Sequence, residues 1–517
     1  MDELGRWMDD DNFEEIGRAP SLIEKFTIEG LYKYRTLSLS SEFSATILIA
    51  KNGSGKTTLL GALDAVLKGQ FLRLTSLEFS KITCKLRGVD EDLVIDRVDI
   101  DDLIKVSETS EVANYARRIG VDSFALMELL DGDYRTSLNE YQSGDEVADK
   151  IVSQHGYSSG QAYRSCEKLA AAMYEAVPKL DAVKHITKQA LRGYEVVYLP
   201  TYRRVELPLD LEAEDARRPR KKKNIRNRLG IGRRSLFSPD IQFGLSDISE
   251  RLSHLNQEIL FDSNQGYRKI SADIISELIG GDLDKDQMGP FELPDKEALA
   301  IFFSRLKDNR GIHYRGDVTI PDLDKVYSGD ISVESNKFLS YFLDKLSSVI
   351  KATRGVEEKV EEFIRSCNNY LSEDDESTSV NYNDGRYSYT DNKELVLDRK
   401  TFQVNVKSLA TSKKISLEFL SSGEKQMISL FARLYLYPKK KIFLIDEPEL
   451  SLSLNWQRKI LLDVMASNLC EQVIAITHSP FVFDNALEPF AKSLDFIIDV
   501  KAEMEAAKDE EHGDINE

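Results

Sequence analysis

A glycine-rich turn between a strand and a helix, Ala50-Lys-Asn-Gly-Ser-Gly-Lys-Thr-Thr58, stands near the start of the chain, and the residues that would face it begin only at Leu420. The distant set reads Leu420-Ser-Ser-Gly-Glu-Lys-Gln426, then Ile442-Phe-Leu-Ile-Asp-Glu-Pro-Glu449, then Ile476-Thr-His-Ser-Pro480. Three of these pieces share one form, a buried apolar strand that ends in a polar cluster. In open α/β sheets such clusters gather beyond the carboxyl ends of neighbouring parallel strands. The glycine loop is expected to bind phosphate, and the distant set to supply the rest of the same site.

At 517 residues the chain has room for two or three domains, each with its own core. Its formal charge of −19 excludes wholesale coating of nucleic acid. A local basic site remains compatible with it, because potential is felt only within a Debye length of about 8–10 Å. Cys84, Cys166, Cys367 and Cys470 lie far apart with no C-x-x-C spacing, and read as small hydrophobes in a reducing compartment. The acidic N-terminus lacks the apolar stretch of a signal peptide. No run approaches the ~18 apolar residues of a spanning helix, so no membrane is expected and the expected location is the cytoplasm.

Composition and periodicity divide the chain into five parts. Residues 1–20 read as an N-terminal extension, 21–205 as a first lobe around the glycine loop with a helical part, and 206–385 as a largely helical insertion. Residues 386–500 read as the second lobe and 501–517 as an acidic tail. Alternation predicts strands at Ile23–Ile28, Thr36–Leu39, Leu77–Phe79, Ile82–Leu86, Leu93–Val98 and Tyr194–Leu199. Further strands are predicted at Glu394–Leu397, Phe402–Val406 and Ile415–Phe419. Leu339, Phe342, Leu346, Val349, Thr353, Val356, Val360, Phe363, Cys367 and Tyr370 recur at 3-4 spacing. That stripe fits either a helix packed on its own domain or an intermolecular coiled coil.

In the glycine loop, backbone N–H groups would cradle phosphate oxygens at the positive end of the following helix. The cradle comprises Asn52, Gly53, Ser54, Gly55, Lys56, Thr57 and Thr58; Lys56 would neutralise the β and γ phosphates of ATP, and the Thr57 hydroxyl would hold Mg²⁺. Ala50 replaces the first glycine of the usual Walker A pattern, which suits a residue whose φ stays negative. Asp446 at the end of the second strand would act on the metal, and Glu447 would polarise the attacking water as general base. Ser421, Ser422 and Gly423 open an amphipathic helix whose N-terminus would face the γ-phosphate held by another copy. Glu449 to Ser453 has the place of a D-loop, and His478, following the strand Val473–Ile476, that of a γ-phosphate sensor.

Walker A, signature, Walker B, D-loop and switch histidine occur once each and in order, which resembles an ABC-type ATPase of the SMC/RecF-like kind. The implied fold class is α/β, a P-loop ATPase head split by a largely helical insertion. One loop and one signature per chain imply a head-to-tail dimer. The glutamine of the Q-loop has no clear place; Val196 to Arg204 lies near that element, with Arg203 or Arg204 as a phosphate or interface contact.

Tyr198-Leu-Pro-Thr-Tyr-Arg-Arg204, Phe243-Gly-Leu-Ser-Asp247 and Glu447-Pro-Glu-Leu-Ser-Leu452 further resemble the PtuA family. These are the ATPases of Septu-type antiphage systems and of retrons with a Septu-like effector. The resemblance covers the ATPase halves and only loosely the insertion. It implies assembly with an HNH-type nuclease, PtuB, and in a retron also with a reverse transcriptase and its RNA–DNA hybrid. Ser453 departs from the histidine common in related ATPases, so its D-loop contact is expected to differ.

A DNA repair ATPase of the RecF or SMC kind shares every one of these motifs, but the insertion is too short for a long coiled-coil arm. A self-contained nuclease of the OLD type needs a TOPRIM domain, for which the stretch after His478 is too short. The six histidines form no H-N-H or zinc pattern. One further feature is the run from Arg217 to Arg234, with ten basic residues and no acid: Arg217, Arg218, Arg220, Lys221, Lys222, Lys223, Arg226 and Arg228, then Arg233 and Arg234. It reads as a solvated loop, as one docked on the chain's own acids such as Glu212, Glu214 and Asp215, or as a contact to a nucleic-acid backbone.

Overall fold

The structure, a computed structural model, describes residues 17–51, 53–132, 134–139, 146–156, 158–200, 236, 245–280, 293–307, 321–328, 333–372, 392–399, 403–409, 411–415 and 419–499. Asn52, Arg203, Arg204, the basic run 217–234 and the tail 501–517 lie outside these. Two compact units emerge, one of Met1–Gln242 with Lys439–Glu517, the other of Phe243–Pro438. The expected second lobe is thereby divided at its middle. Its first strands and the signature helix group with the helical segment, and residues from Lys439 onward group with the glycine loop.

In chain order the first unit begins with β1 (Ile23–Leu31), β2 (Arg35–Ser40), β3 (Ala45–Ile49), α1 (Lys56–Lys68), β4 (Lys81–Leu86), β5 (Leu93–Asp96) and β6 (Tyr194–Leu199). The second unit holds α2 (Leu245–Gly280), α3 (Val333–Leu371), β7 (Lys393–Asp398), β8 (Gln403–Ser408), β9 (Lys414–Ile415) and α4 (Ser422–Tyr435). The chain then returns to the first unit with β10 (Lys440–Asp446), α5 (Leu454–Ala466), β11 (Cys470–Thr477), β12 (Ala491–Ser493) and β13 (Asp495–Ile498). Several helices between Arg97 and Ala190 complete that unit.

Two sheets make up the first unit. One is antiparallel with order β13-β2-β1-β4-β5; the other has order β12-β3-β11-β10-β6 with every pairing parallel. The strand types follow from their side chains. β1 alternates buried and exposed residues, as a strand with one covered face does. β3 and β10 are almost continuously buried apolar runs, as central parallel strands are. Gln472 on β11 ties the two sheets together: its Oε1 accepts from Leu22 N–H (3.0 Å) and Ile23 N–H (2.9 Å), and its Nε2 donates to Ile23 O and Ser41 Oγ. On α1, Asp64 is fully buried and pairs with Arg73 (2.7 Å) and with Lys68 one turn on (2.8 Å).

Two strand expectations fail for local reasons. Leu77–Phe79 has no regular structure and follows a 3₁₀ turn at Phe71–Ser76. The strand at Leu93 stops at Asp96, because Asp96 and Asp99 form a capping box that starts the helix Arg97–Thr109. Of the strand expected at Ile415–Phe419, the described residues show only Lys414–Ile415.

Within the second unit, the apolar stripe of α3 is covered by the unit itself. Phe342 meets Tyr267 of α2 edge-on (6.4 Å between centroids), and Tyr370 meets Phe431 of α4 (5.5 Å). Asn368 on the same helix pairs with both backbone groups of Leu395, accepting from its N–H at 2.7 Å and donating to its carbonyl at 3.0 Å. That pairing holds β7 on α3, and the apolar contact holds α4. It explains why the signature helix groups with the helical segment. No helix among the described residues is long and apolar enough to cross a membrane.

Candidate functional site

The parallel sheet orders its strands β3-β11-β10, so the loops leaving their carboxyl ends are neighbours. The register aligns Ile49 with Thr477 and Ile476 with Asp446. After β3 the chain turns through Gly53 (φ +79°) and Gly55 (φ +88°) into α1. A Cβ at Gly55 would stand 2.8 Å from Leu37 Cδ1 on β2, so the turn needs glycine for both its conformation and its packing. Ala50 has no positive φ, so alanine meets no backbone penalty there.

Lys56 opens α1 and is buried. Its ammonium donates to Glu447 Oε1 at 2.7 Å and contacts His478 Nε2. His478 Nε2 in turn lies 2.9 Å from Glu447 Oε1. The next residue, Thr57, donates its hydroxyl to Asp446 Oδ2 at 2.5 Å. Five residues drawn from three separate motifs thus meet in one cluster. Burial raises the Glu447 carboxyl, but the Lys56 ammonium and then His478 outweigh it and hold it below its ordinary value.

Thr57 and Asp446 present two hard oxygen donors side by side. That donor set fits Mg²⁺, which takes one or two protein oxygens and completes its shell with water and substrate phosphates. Among the described residues no group of three His, Cys, Asp or Glu could hold a metal by itself, so this is no all-protein cage. The thiols of Cys84 and Cys166 are pushed up to about 12 by burial and offer no nucleophile at neutral pH.

Glu447 has φ +56° and Ser451 φ +66°, so the chain turns sharply on leaving β10. The turn aims Glu449 back at the histidine loop, where it accepts from Thr477, His478 and Ser479. Sequence reasoning placed Glu449 only as the first residue of the D-loop stretch and gave it no contact of its own. Ser453 accepts from Trp456 N–H (3.4 Å) and caps α5, a task suited to serine at this position.

The signature belongs to the second unit. Ser421 is the N-cap of α4: its hydroxyl accepts from Glu424 N–H (3.3 Å) while Glu424 Oε2 accepts from Ser421 N–H (2.6 Å). Ser422 and Gly423 are the first two helical residues, and the buried face is Met427, Ile428, Leu430, Phe431 and Leu434. Lys393 on β7 clamps Glu424 with contacts of 2.9 and 3.0 Å to its two oxygens. Nothing in the local sequence of Lys393 marks it for that contact. Asn52 and the basic residues Arg217, Arg218, Arg220, Lys221, Lys222, Lys223, Arg226 and Arg228 lie outside the described residues.

Residues 298–484 match a family model described as "AAA domain, putative AbiEii toxin, Type IV TA system", a span of less than half the chain. No curated protein matches. Similar solved structures include an Smc head bound to the C-winged helix domain of ScpA, at 11% identity and TM-score 0.33 over 94% of this chain and 100% of that one. Another is an Smc head domain with an extended coiled coil, bound to the C-terminal domain of ScpA, from Pyrococcus furiosus. It shows 13% identity and TM-score 0.33 over 94% of this chain and 98% of that one. At that TM-score neither superposition supports a statement about this chain. The fold rests on its own strands and loops: it is α/β, with a glycine-rich loop and helix following a strand of the parallel sheet, and a largely helical segment interrupting the chain between the strands of that sheet.

Proposed function

We propose that this chain binds and hydrolyses ATP as the regulatory subunit of an antiphage defence complex, controlling a partner HNH-type nuclease of the PtuB kind, alone or within a retron. The observation that carries the ATPase part is the meeting of Lys56, Thr57, Asp446, Glu447 and His478 at the ends of adjacent parallel strands. Lys56 would exchange its contact with Glu447 for the phosphate charge of ATP. Thr57 and Asp446 would hold Mg²⁺, which supplies charge neutralisation for the phosphates. Glu447, with its carboxyl held ionised at neutral pH, would accept a proton from the attacking water. His478 would contact the γ-phosphate from the third strand end.

The partner part rests on the resemblance of Tyr198 to Arg204, Phe243 to Asp247 and Glu447 to Leu452 to PtuA. A second copy of the chain would bring Ser421, Ser422 and Gly423 of its α4 to the phosphates. The complex is tested by co-purifying the chain with an HNH-type nuclease and measuring cleavage of DNA with and without ATP. ATP should change cleavage for the wild-type complex and leave it unchanged for Lys56→Ala. Failure to co-purify, or cleavage indifferent to ATP in both, would contradict the proposal.

A further inference from the structure

We infer that Glu449 is the positioning residue of His478, acting on its main chain and touching none of the reacting groups. For its kinetic consequence the inference rests on the ATPase reading above; the contact itself does not. Glu449 Oε1 accepts from His478 N–H at 2.8 Å and from Ser479 N–H at 3.3 Å, and Oε2 accepts from the Thr477 hydroxyl at 2.8 Å. Three consecutive residues thus donate to one carboxylate. β11 ends at Thr477, so the next N–H groups have left the ladder; that of His478 finds its acceptor in Glu449, while that of Ser479 is shared between Glu449 and Thr477 Oγ1 (3.0 Å).

The acid is delivered by a strained turn. Glu447 keeps a left-handed φ of +56° and donates its N–H to Ile476 O at 2.8 Å, so the chain reverses beside β11. A non-glycine residue persists there only where its surroundings over-determine the conformation. Gln457 on α5 closes the far side. Its Oε1 accepts from Ser479 Oγ at 2.8 Å, and its Nε2 donates to Glu449 O and Leu452 O at 3.3 and 3.0 Å. The backbone of the histidine loop is therefore held from below while the imidazole reaches Glu447 and Lys56.

A merely structural acid would change stability and nothing else. A positioning acid changes turnover through His478. The test compares Glu449→Ala, Glu449→Gln, His478→Ala and the double variant Glu449→Ala/His478→Ala in the full chain. Glutamine keeps an acceptor for the two N–H groups, and its amide can donate to the Thr477 hydroxyl. Glu449→Ala should lower kcat on the order of tenfold with KM for ATP within about twofold. Glu449→Gln should retain most of the wild-type kcat. The double variant should be no slower than His478→Ala, because the ring being placed is already gone. Hydrogen exchange of the His478 amide should accelerate in Glu449→Ala. Wild-type kcat in Glu449→Ala, a multiplicative loss in the double variant, or unchanged amide exchange would overturn the inference. Exchange is read without hydrolysis, so a wild-type chain lacking ATPase activity would remove the ATPase reading and still leave the Glu449 contact decided.

Discussion

Lys56 donates to Glu447 at 2.7 Å across a sequence separation of 391 residues. The contact exists because β11 separates β3 from β10 in the sheet and all three run parallel, which puts their outgoing loops side by side. The lysine proposed to neutralise phosphate is thereby paired with the acid proposed to handle water.

This pair makes a pH prediction with a definite sign. Lys56, followed by His478, holds the Glu447 carboxyl below its ordinary 4.5 against the opposing effect of burial. A folded pKa below the unfolded one means the stabilisation is complete above the ordinary value. It is lost as pH falls through the lower folded value. The stability difference between wild type and Glu447→Ala, from urea unfolding, should be constant from neutral pH to about 5 and shrink at more acid pH. A difference that grows as pH falls would contradict the assignment.

Asp64 predicts a stability effect away from the site. It is fully buried and is the shared partner of Arg73 and Lys68, with Arg73 itself buried. Removing one member of a buried ion pair leaves an uncompensated charge and costs about 3–5 kcal/mol. Asp64→Ala should lower the unfolding free energy by that order in urea denaturation. A loss below about 1 kcal/mol, the scale of exposed pairs, would show that Arg73 finds other acceptors.

Trans-completion of the site predicts the outcome of mixing two inactive chains. Lys56→Ala damages one chain's phosphate loop and Gly423→Asp the other's signature. A heterodimer then carries one doubly damaged site and one intact site. ATPase activity should reappear on mixing, provided that heterodimers are verified by differential tags. Verified heterodimers with no recovery would argue against a second copy completing the site.

The basic run predicts a salt signature. If Arg217 to Arg228 contact a nucleic-acid backbone, log affinity should fall with log salt by about 0.7–0.9 per phosphate neutralised. Replacing Arg220, Lys221, Lys222 and Lys223 with Ser should weaken binding and flatten that slope while ATP affinity holds. Wild-type affinity and slope in the variant would show that the run binds no nucleic acid.

Much of the sheet was legible because its signals are local. β3, β10 and β11 are apolar runs that end in polar clusters, and the Ser421–Glu424 spacing marks a capping box before an amphipathic helix. Where two local signals competed, the stronger won: the Asp96–Asp99 capping box ended a strand that β propensity would have carried to Val98. Contacts set by tertiary structure were not legible. Lys393 reaches Glu424 only because Asn368 holds β7 on α3, and Glu449 reaches the histidine loop only through the left-handed turn at Glu447. Neither condition leaves a trace in spacing.

The central claim, that one residue set binds ATP and a different residue acts on water, is tested most directly by pairing equilibrium ATP binding with phosphate release in Lys56→Ala and Glu447→Gln. Lys56→Ala should lose measurable ATP binding. Glu447→Gln should bind ATP within a few-fold of wild type and release phosphate slower by about 10²–10⁴, the range of general-base contributions. Unaltered ATP affinity in Lys56→Ala, or wild-type phosphate release in Glu447→Gln, would contradict it.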